Sequence, residues 1–154
     1  MAAQLIHVVR HAHAGDRAAW AHDDDLRPLS DRGCVQAERL AGALASPRPA
    51  AVYSSPSLRC IATVLPLART QALPLTTLDV LYEGGSATAL LDRLLAEAGS
   101  PLVACTHGDV LDELLAHLAG LGISLPALHA PKGSTWTLEA TGSRINSVRY
   151  APPP

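Results

Sequence analysis

The sequence predicts an α/β domain with a largely parallel sheet, and three observations lead there. Short apolar runs recur at 4–9, 50–55, 75–81 and 101–107. Segments with helical periodicity separate them. A hydrophobic share of 48% in 154 residues is enough for one core of ordinary size, with no second domain and no internal repeat. Strands that alternate with helices pair in parallel, because each helix returns the chain to the same edge.

The elements follow in order. Gln4–Val9 is β-branched and apolar, which suits a buried strand. Residues 14–29 are polar and irregular. Ser30 is placed to cap a helix through "DRGCVQAERLAGALA", with Asp31 favouring its N-terminus and Val35, Leu40 and Leu44 along its apolar side. "AAVYSS" is the second strand. Pro56 suits the first turn of a helix that runs to Arg69, with Pro66 as a point where it could kink. "LTTLDVL" is a third, weaker strand. A helix over 86–99 is closed by Gly99, and one over 109–120 by Gly120, with the fourth strand between them. "STWTLEA" and "RINSVRY" form a terminal hairpin turning at "TGS". The domain spans 1–150, and the tail 151–154 is expected to fray.

Composition excludes some functions. A net charge of −2 with 17% charged residues and no basic run argues against a nucleic-acid polymer as partner. No apolar run approaches the ~20 residues of a membrane span. The opening residues lack the basic and apolar regions of a signal peptide. Cys34, Cys60 and Cys105 are widely spaced and form no CxxC pair, so a reduced, cytoplasmic protein is expected.

In such sheets ligands bind beyond the carboxyl ends of the strands. Arg10 and His11 end the first strand, Arg59 follows the second, Glu83 the third, and His107 ends the fourth. If these strands are parallel neighbours, the five side chains share one rim. Two guanidiniums clamp a phosphoryl group with paired hydrogen bonds. A neutral imidazole attacks phosphorus, and nearby guanidiniums disfavour its protonation. His107 can donate to the charge that develops on the transferring oxygens. Glu83 can protonate the leaving oxygen. Backbone N–H groups where Gly108 and Asp109 open a helix help to bind an anion. This set needs no cofactor and no metal.

These motifs resemble the histidine phosphatase superfamily, the phosphoglycerate-mutase-like enzymes. "VVRHAHAG" resembles its opening motif, which implies His11 as nucleophile and Arg10 as phosphate ligand. "RPLSDRGCVQA" resembles the stretch that follows. "VYSSPSLRCIAT" implies Arg59 as the second phosphate arginine, "LYEGG" implies Glu83 as the acidic proton donor, and "ACTHGDVL" implies His107. "PKGSTW" resembles the closing segment of phosphatase domains appended to Nudix hydrolases, and the short chain resembles small phosphohistidine phosphatases. The resemblance implies a three-layer α/β/α sandwich with a mostly parallel central sheet, phosphoglycerate-mutase-like. It implies a metal-independent phosphatase whose substrate is a phosphorylated small molecule or a phosphohistidine protein. Ala12 stands where many members have glycine.

Other readings stand beside this one. A phosphoglycerate-mutase-like phosphotransferase uses the same groups, but with little chain between Glu83 and His107 to form a lid, water reaches the pocket and hydrolysis is favoured. "HAH" at a strand end resembles the first ligands of a metal-dependent hydrolase barrel, but that barrel needs ~250 residues. A pocket that binds without turnover is the third. Among the remaining residues, His7 reads as a hydrogen-bonded strand residue, His22 with the acidic run 23–25 as a solvated loop, and His117 as an exposed helix residue. His13 lies at the pocket mouth or in solvent, and Lys132 stays outside the catalytic set.

Overall fold

In the computed structural model, which describes residues 2–154, Gln4–Arg10 form β1 in the interior of a six-stranded sheet. Ala51–Ser54 form β2, Leu75–Thr77 β3, Leu102–Thr106 β4, Thr135–Thr141 β5 and Arg144–Ala151 β6. The order is β3-β2-β4-β1-β5-β6. The first four strands are mutually parallel, and β5 and β6 add an antiparallel edge. Gly142, at φ +60°, opens the hairpin turn.

Four helices cover the two faces. Asp31–Ala43 (α1) and Leu58–Thr70 (α2) pack Leu40, Leu44, Val64 and Leu67 against Val9, Val52 and Val103. Ala87–Leu95 (α3) and Gly108–Gly120 (α4) pack Leu90, Leu94, Leu111 and Leu115 over Ile6, Val8, Leu102 and Trp136. Alternation along β1 therefore feeds both layers, Ile6 and Val8 to one and Val9 to the other. Each such buried side chain contributes about 1.5–3 kcal/mol of hydrophobic stabilisation. The result is the expected three-layer α/β/α sandwich. Among the described residues no helix is long and apolar enough to cross a membrane.

The structure corrects several element details. Val35 is 49% exposed; the buried side of α1 runs through Gly33, Gln36, Ala37, Leu40 and Ala41. The spacing from Val35 to Leu40 is five residues, too wide for one helical stripe. Strand β3 stops at Thr77, because the short β2 offers it no further partner after Leu78 donates to the Ser54 carbonyl (2.9 Å), and Asp79–Leu81 turn instead. Helix α3 ends at Leu95 and not near Gly99: the Gln4 side chain holds the Glu97 and Gly99 carbonyls, both at 2.8 Å, in a non-helical course. Gly120 is still helical, and the residue that closes α4 is Gly122 at φ +84°. Its N–H bonds the Ala119 carbonyl while Ile123 bonds that of Leu118, the paired closure that a left-handed residue permits. Pro66 lies within α2 without ending it. Ala151, in the segment expected to fray, pairs with Thr135.

The winding positions the site. The chain leaves β1 toward the α1 face and leaves β4 toward the α4 face, and these strands are neighbours. Connections diverging to opposite faces open a crevice at their carboxyl ends.

Candidate active site

His11 follows β1 directly. Its N–H donates to the Thr106 carbonyl of β4 (3.0 Å), and its own carbonyl accepts the Gly133 N–H (3.0 Å). Nδ1 lies 2.9 Å from the Ala12 carbonyl. A carbonyl only accepts, so Nδ1 carries the proton and Nε2 carries the lone pair. The neighbouring loop is pinned by Thr63 of α2, whose hydroxyl accepts the Ala12 N–H (2.9 Å) and donates to the Arg59 carbonyl (2.7 Å).

Arg10 lies against the N-terminus of α4. A Cβ on Gly108 would stand 2.6 Å from the Arg10 Cζ, so a larger residue there would push the guanidinium aside. Nη1 of Arg10 donates to the Ala130 carbonyl (2.6 Å). A guanidinium beside the positive end of a helix is a repulsive pairing that an anion would relieve.

Arg59 is fully buried in the first turns of α2. Nη1 donates to the Asp24 carbonyl (2.8 Å), and Nη2 faces Asp24 Oδ2 at 3.1 Å, Glu83 Oε2 at 3.5 Å and His107 Nδ1 at 3.3 Å. Because the guanidinium can only donate, His107 Nδ1 accepts, which leaves Nε2–H to donate to Ser55 Oγ (2.8 Å). The two imidazoles meet edge to face, with ring centroids 5.7 Å apart. Among the described residues, the buried side-chain nitrogens and oxygens without a hydrogen-bond partner are Nε of Arg10 and Nε of Arg59.

A pocket of about 420 Å³ opens over this set, lined by Arg10, His11, Glu83, His107, Gly108 and also Lys132. Five of the six residues expected at the site line it, and the sixth, Arg59, touches two of them, Glu83 and His107. The sequence reading missed the loop that follows β1. Asp24, read as part of a solvated run, pairs with Arg59, Arg17 and Arg27 (3.1, 3.4 and 3.0 Å). Arg17 in turn holds Glu83 Oε1 at 2.6 Å. Ser57, free of capping duty on α2, donates to Asp25 (2.9 Å) and fastens the same loop. The one available signal was the mixture of Arg17, Asp24 and Arg27 within a segment otherwise without pattern. Burial works against the Asp24 carboxylate, but the hydrogen bond from Arg27 and the charges of Arg59 and Arg17 outweigh it and keep its pKa below the usual range.

Other histidines take quieter places. His7 Nδ1 pairs with the Thr137 hydroxyl (2.7 Å), as a hydrogen-bonded strand residue should. His13 Nδ1 pairs with the Ser30 hydroxyl (2.6 Å), the same oxygen that caps α1 at Gly33. His22 is exposed beside Trp20, and His117 is half-buried rather than exposed. His11 and His13 each use Nδ1 on a different partner, and among the described residues no three His, Cys, Asp or Glu side chains group as metal ligands.

Burial drives the His11 pKa from 6.5 down to about 3; the bond to the Ala12 carbonyl resists this, and the charges of Arg59, His107 and Arg10 add to it. An unfolded histidine titrates near 6.5 and so holds a proton that folded His11 lacks between those values. The stability tied to neutral His11 is complete above 6.5 and is lost as the pH falls toward 3. At about pH 5 the loss is about 2 kcal/mol relative to pH 7. Urea unfolding at the two pH values should show the wild type losing more stability than His11→Asn by about that amount. Equal losses would mean that His11 is hydrated.

Residues 6–87 match the profile of the histidine phosphatase superfamily (branch 1). The chain is 34% identical over 153 residues to the 8-oxo-(d)GTP phosphatase of Mycolicibacterium smegmatis (strain ATCC 700084 / mc(2)155), covering 96% of this chain and 48% of that protein. It therefore spans about half the length of this curated relative. Among solved structures, the protein histidine phosphatase SixA complexed with tungstate superposes with a TM-score of 0.77 at 22% identity, over 94% of this chain and 96% of that one. A SixA protein from Agrobacterium tumefaciens gives 0.75 at 20% identity, over 97% and 98%. These two likenesses concern the fold.

Proposed function

The chain belongs to the histidine phosphatase superfamily, and we propose that it is a phosphatase that hydrolyses a phosphomonoester or phosphohistidine through a covalent intermediate on His11. The observation that carries this reading is the pair of orphaned Nε donors on Arg10 and Arg59, two guanidiniums whose charges both act on an imidazole held neutral. An unsatisfied buried donor costs about 1–3 kcal/mol, and a phosphoryl oxygen relieves that cost at each arginine.

In the proposed reaction the substrate phosphoryl takes over Arg59 from Asp24 and Glu83. His11 Nε2 attacks phosphorus with its lone pair, while Nδ1–H stays on the Ala12 carbonyl. The bond from phosphorus to the leaving oxygen breaks, and that oxygen keeps the electron pair and takes a proton from Glu83, whose carboxylate picks that proton up from solvent as the substrate draws Arg59 away. Water then attacks phosphorus and gives its proton to Glu83, the P–N bond breaks, and its pair returns to Nε2. Inorganic phosphate leaves. Arg10, Arg59 and the Gly108 N–H hold the three transferring oxygens as their charge grows, and His107 joins them by taking a proton on Nδ1 once Arg59 has turned from it to the phosphoryl group. A pocket open to water favours hydrolysis over return of the phosphoryl group, which a mutase requires. The name of the M. smegmatis relative adds nucleotides to the substrates worth testing. A cytoplasmic location fits phosphorylated metabolites or proteins as substrates.

The test is to trap the intermediate. Brief reaction with a radiolabelled phosphoryl donor, quenched in denaturant, should label His11 with a phosphate stable to base and released by acid. A chelator should change neither labelling nor turnover. Label on another residue, or loss of activity with chelator, would overturn the reading.

A further inference from the structure

Lys132 sits on a backbone fixed to the catalytic strand. Gly133, at φ +84°, donates its N–H to the carbonyls of both Arg10 (3.1 Å) and His11 (3.0 Å). The Ser134 carbonyl accepts the Arg10 N–H (3.0 Å), and the Pro131 carbonyl accepts the N–H (3.0 Å) and hydroxyl (2.6 Å) of Ser134. The side chain next to this clamp lines the pocket with His11, Arg10, Arg17 and Arg27.

The acids at the pocket are all committed elsewhere. Glu83 faces Arg17 and Arg59, and Asp24 faces Arg59, Arg27 and Arg17. Asp109 accepts the Gly84 N–H (2.7 Å), and Asp112 holds the Ala130 N–H (3.2 Å) and His129 (3.5 Å). No ion pair among the described residues includes Lys132. Burial and the charges of Arg10, Arg27, Arg17 and Arg59 push its ammonium below the usual lysine range. A half-buried cation so placed is destabilising in the free protein, and a neutral side chain would relieve it.

The proposed phosphoryl site is already served by Arg10, Arg59 and His107. We infer that Lys132 is a specificity-determining residue that binds a second anionic group of the substrate, so that the preferred substrates carry a phosphate or carboxylate beside the scissile phosphoryl. This rests on the pocket being the phosphatase site proposed above.

The test compares wild type, Lys132→Met and Lys132→Arg on three substrates, with kcat/KM read from phosphate release. p-Nitrophenyl phosphate has no second anion, adenosine diphosphate has an adjacent phosphate, and 3-phosphoglycerate has a carboxylate. Wild type should favour at least one doubly anionic substrate by about tenfold or more over p-nitrophenyl phosphate, the size of one charge-assisted hydrogen bond. On that substrate Lys132→Met should lose about 10–100-fold, and on p-nitrophenyl phosphate less than about threefold. Lys132→Arg should recover most of the loss. Which doubly anionic substrate responds identifies the second group. Equal losses on all three substrates, or none on any, would overturn the inference. A wild type that hydrolyses only a phosphohistidine peptide run alongside them overturns the inference alone; one that hydrolyses none of the four fails the phosphatase reading itself, and the inference with it.

Discussion

Replacing His11 with asparagine should lower kcat by on the order of 10⁴-fold or more and abolish the trapped phosphoenzyme, since loss of a covalent nucleophile removes the whole pathway. The substitution suits the site. An asparagine amide N–H can take over the bond from His11 Nδ1 to the Ala12 carbonyl, so the loop held by Thr63 keeps its anchor. Arg10, Arg59 and His107 stay in place, and phosphate affinity should change far less than turnover. Steady-state kinetics with phosphate inhibition, alongside unfolding near pH 7, separates the two effects. Near-normal turnover in a folded variant would show that the attacking group is elsewhere, with Cys60 the next buried nucleophile to consider, its Sγ 3.6 Å from His107 Nε2.

Replacing Arg59 with lysine should lower kcat by on the order of 10² while raising KM about tenfold, because a planar fork is exchanged for a point charge where phosphoryl charge increases. Arg59 is fully buried and holds the Asp24 carbonyl, two carboxylates and His107 Nδ1 together. Lysine keeps the positive charge that Asp24 and Glu83 require, so the loop over the pocket is not left with unpaired acids. It cannot present two aligned donors to a phosphoryl oxygen pair. The joint change in kcat and KM is the diagnostic result. A rise in KM alone would mean that Arg59 serves only ground-state binding, and no change would remove it from the phosphoryl site.

The two substitutions differ in how visible their targets were. His11 stands at the end of a clear apolar run, and its place in the crevice follows once β1 and β4 are parallel neighbours. Arg59 was also visible, from its position after the second strand. Its attachment to Asp24 was not, because that contact spans 35 residues and starts in a loop with no periodicity. Ser55 was visible only as part of a motif; its work, orienting His107 through Nε2, depends on where β4 ends beside β2. Gly120 and Gly122 illustrate the same limit locally. Either glycine could end α4, and the choice falls on the one whose N–H and following residue reach the last carbonyls.

The sequence by itself determined the alternation of strands and helices, the Ser30 cap, and the identity of Arg10, His11, Arg59, Glu83 and His107 as residues at or after strand ends. Periodicity and capping act within a few residues, so they are written locally. The tertiary structure alone decided that Asp24 and Arg17 brace the site, that Gly108 leaves room for the Arg10 guanidinium, and that Lys132 faces the pocket without a partner. Those facts depend on segments distant in sequence meeting at the one place where two neighbouring strands send the chain to opposite faces of the sheet.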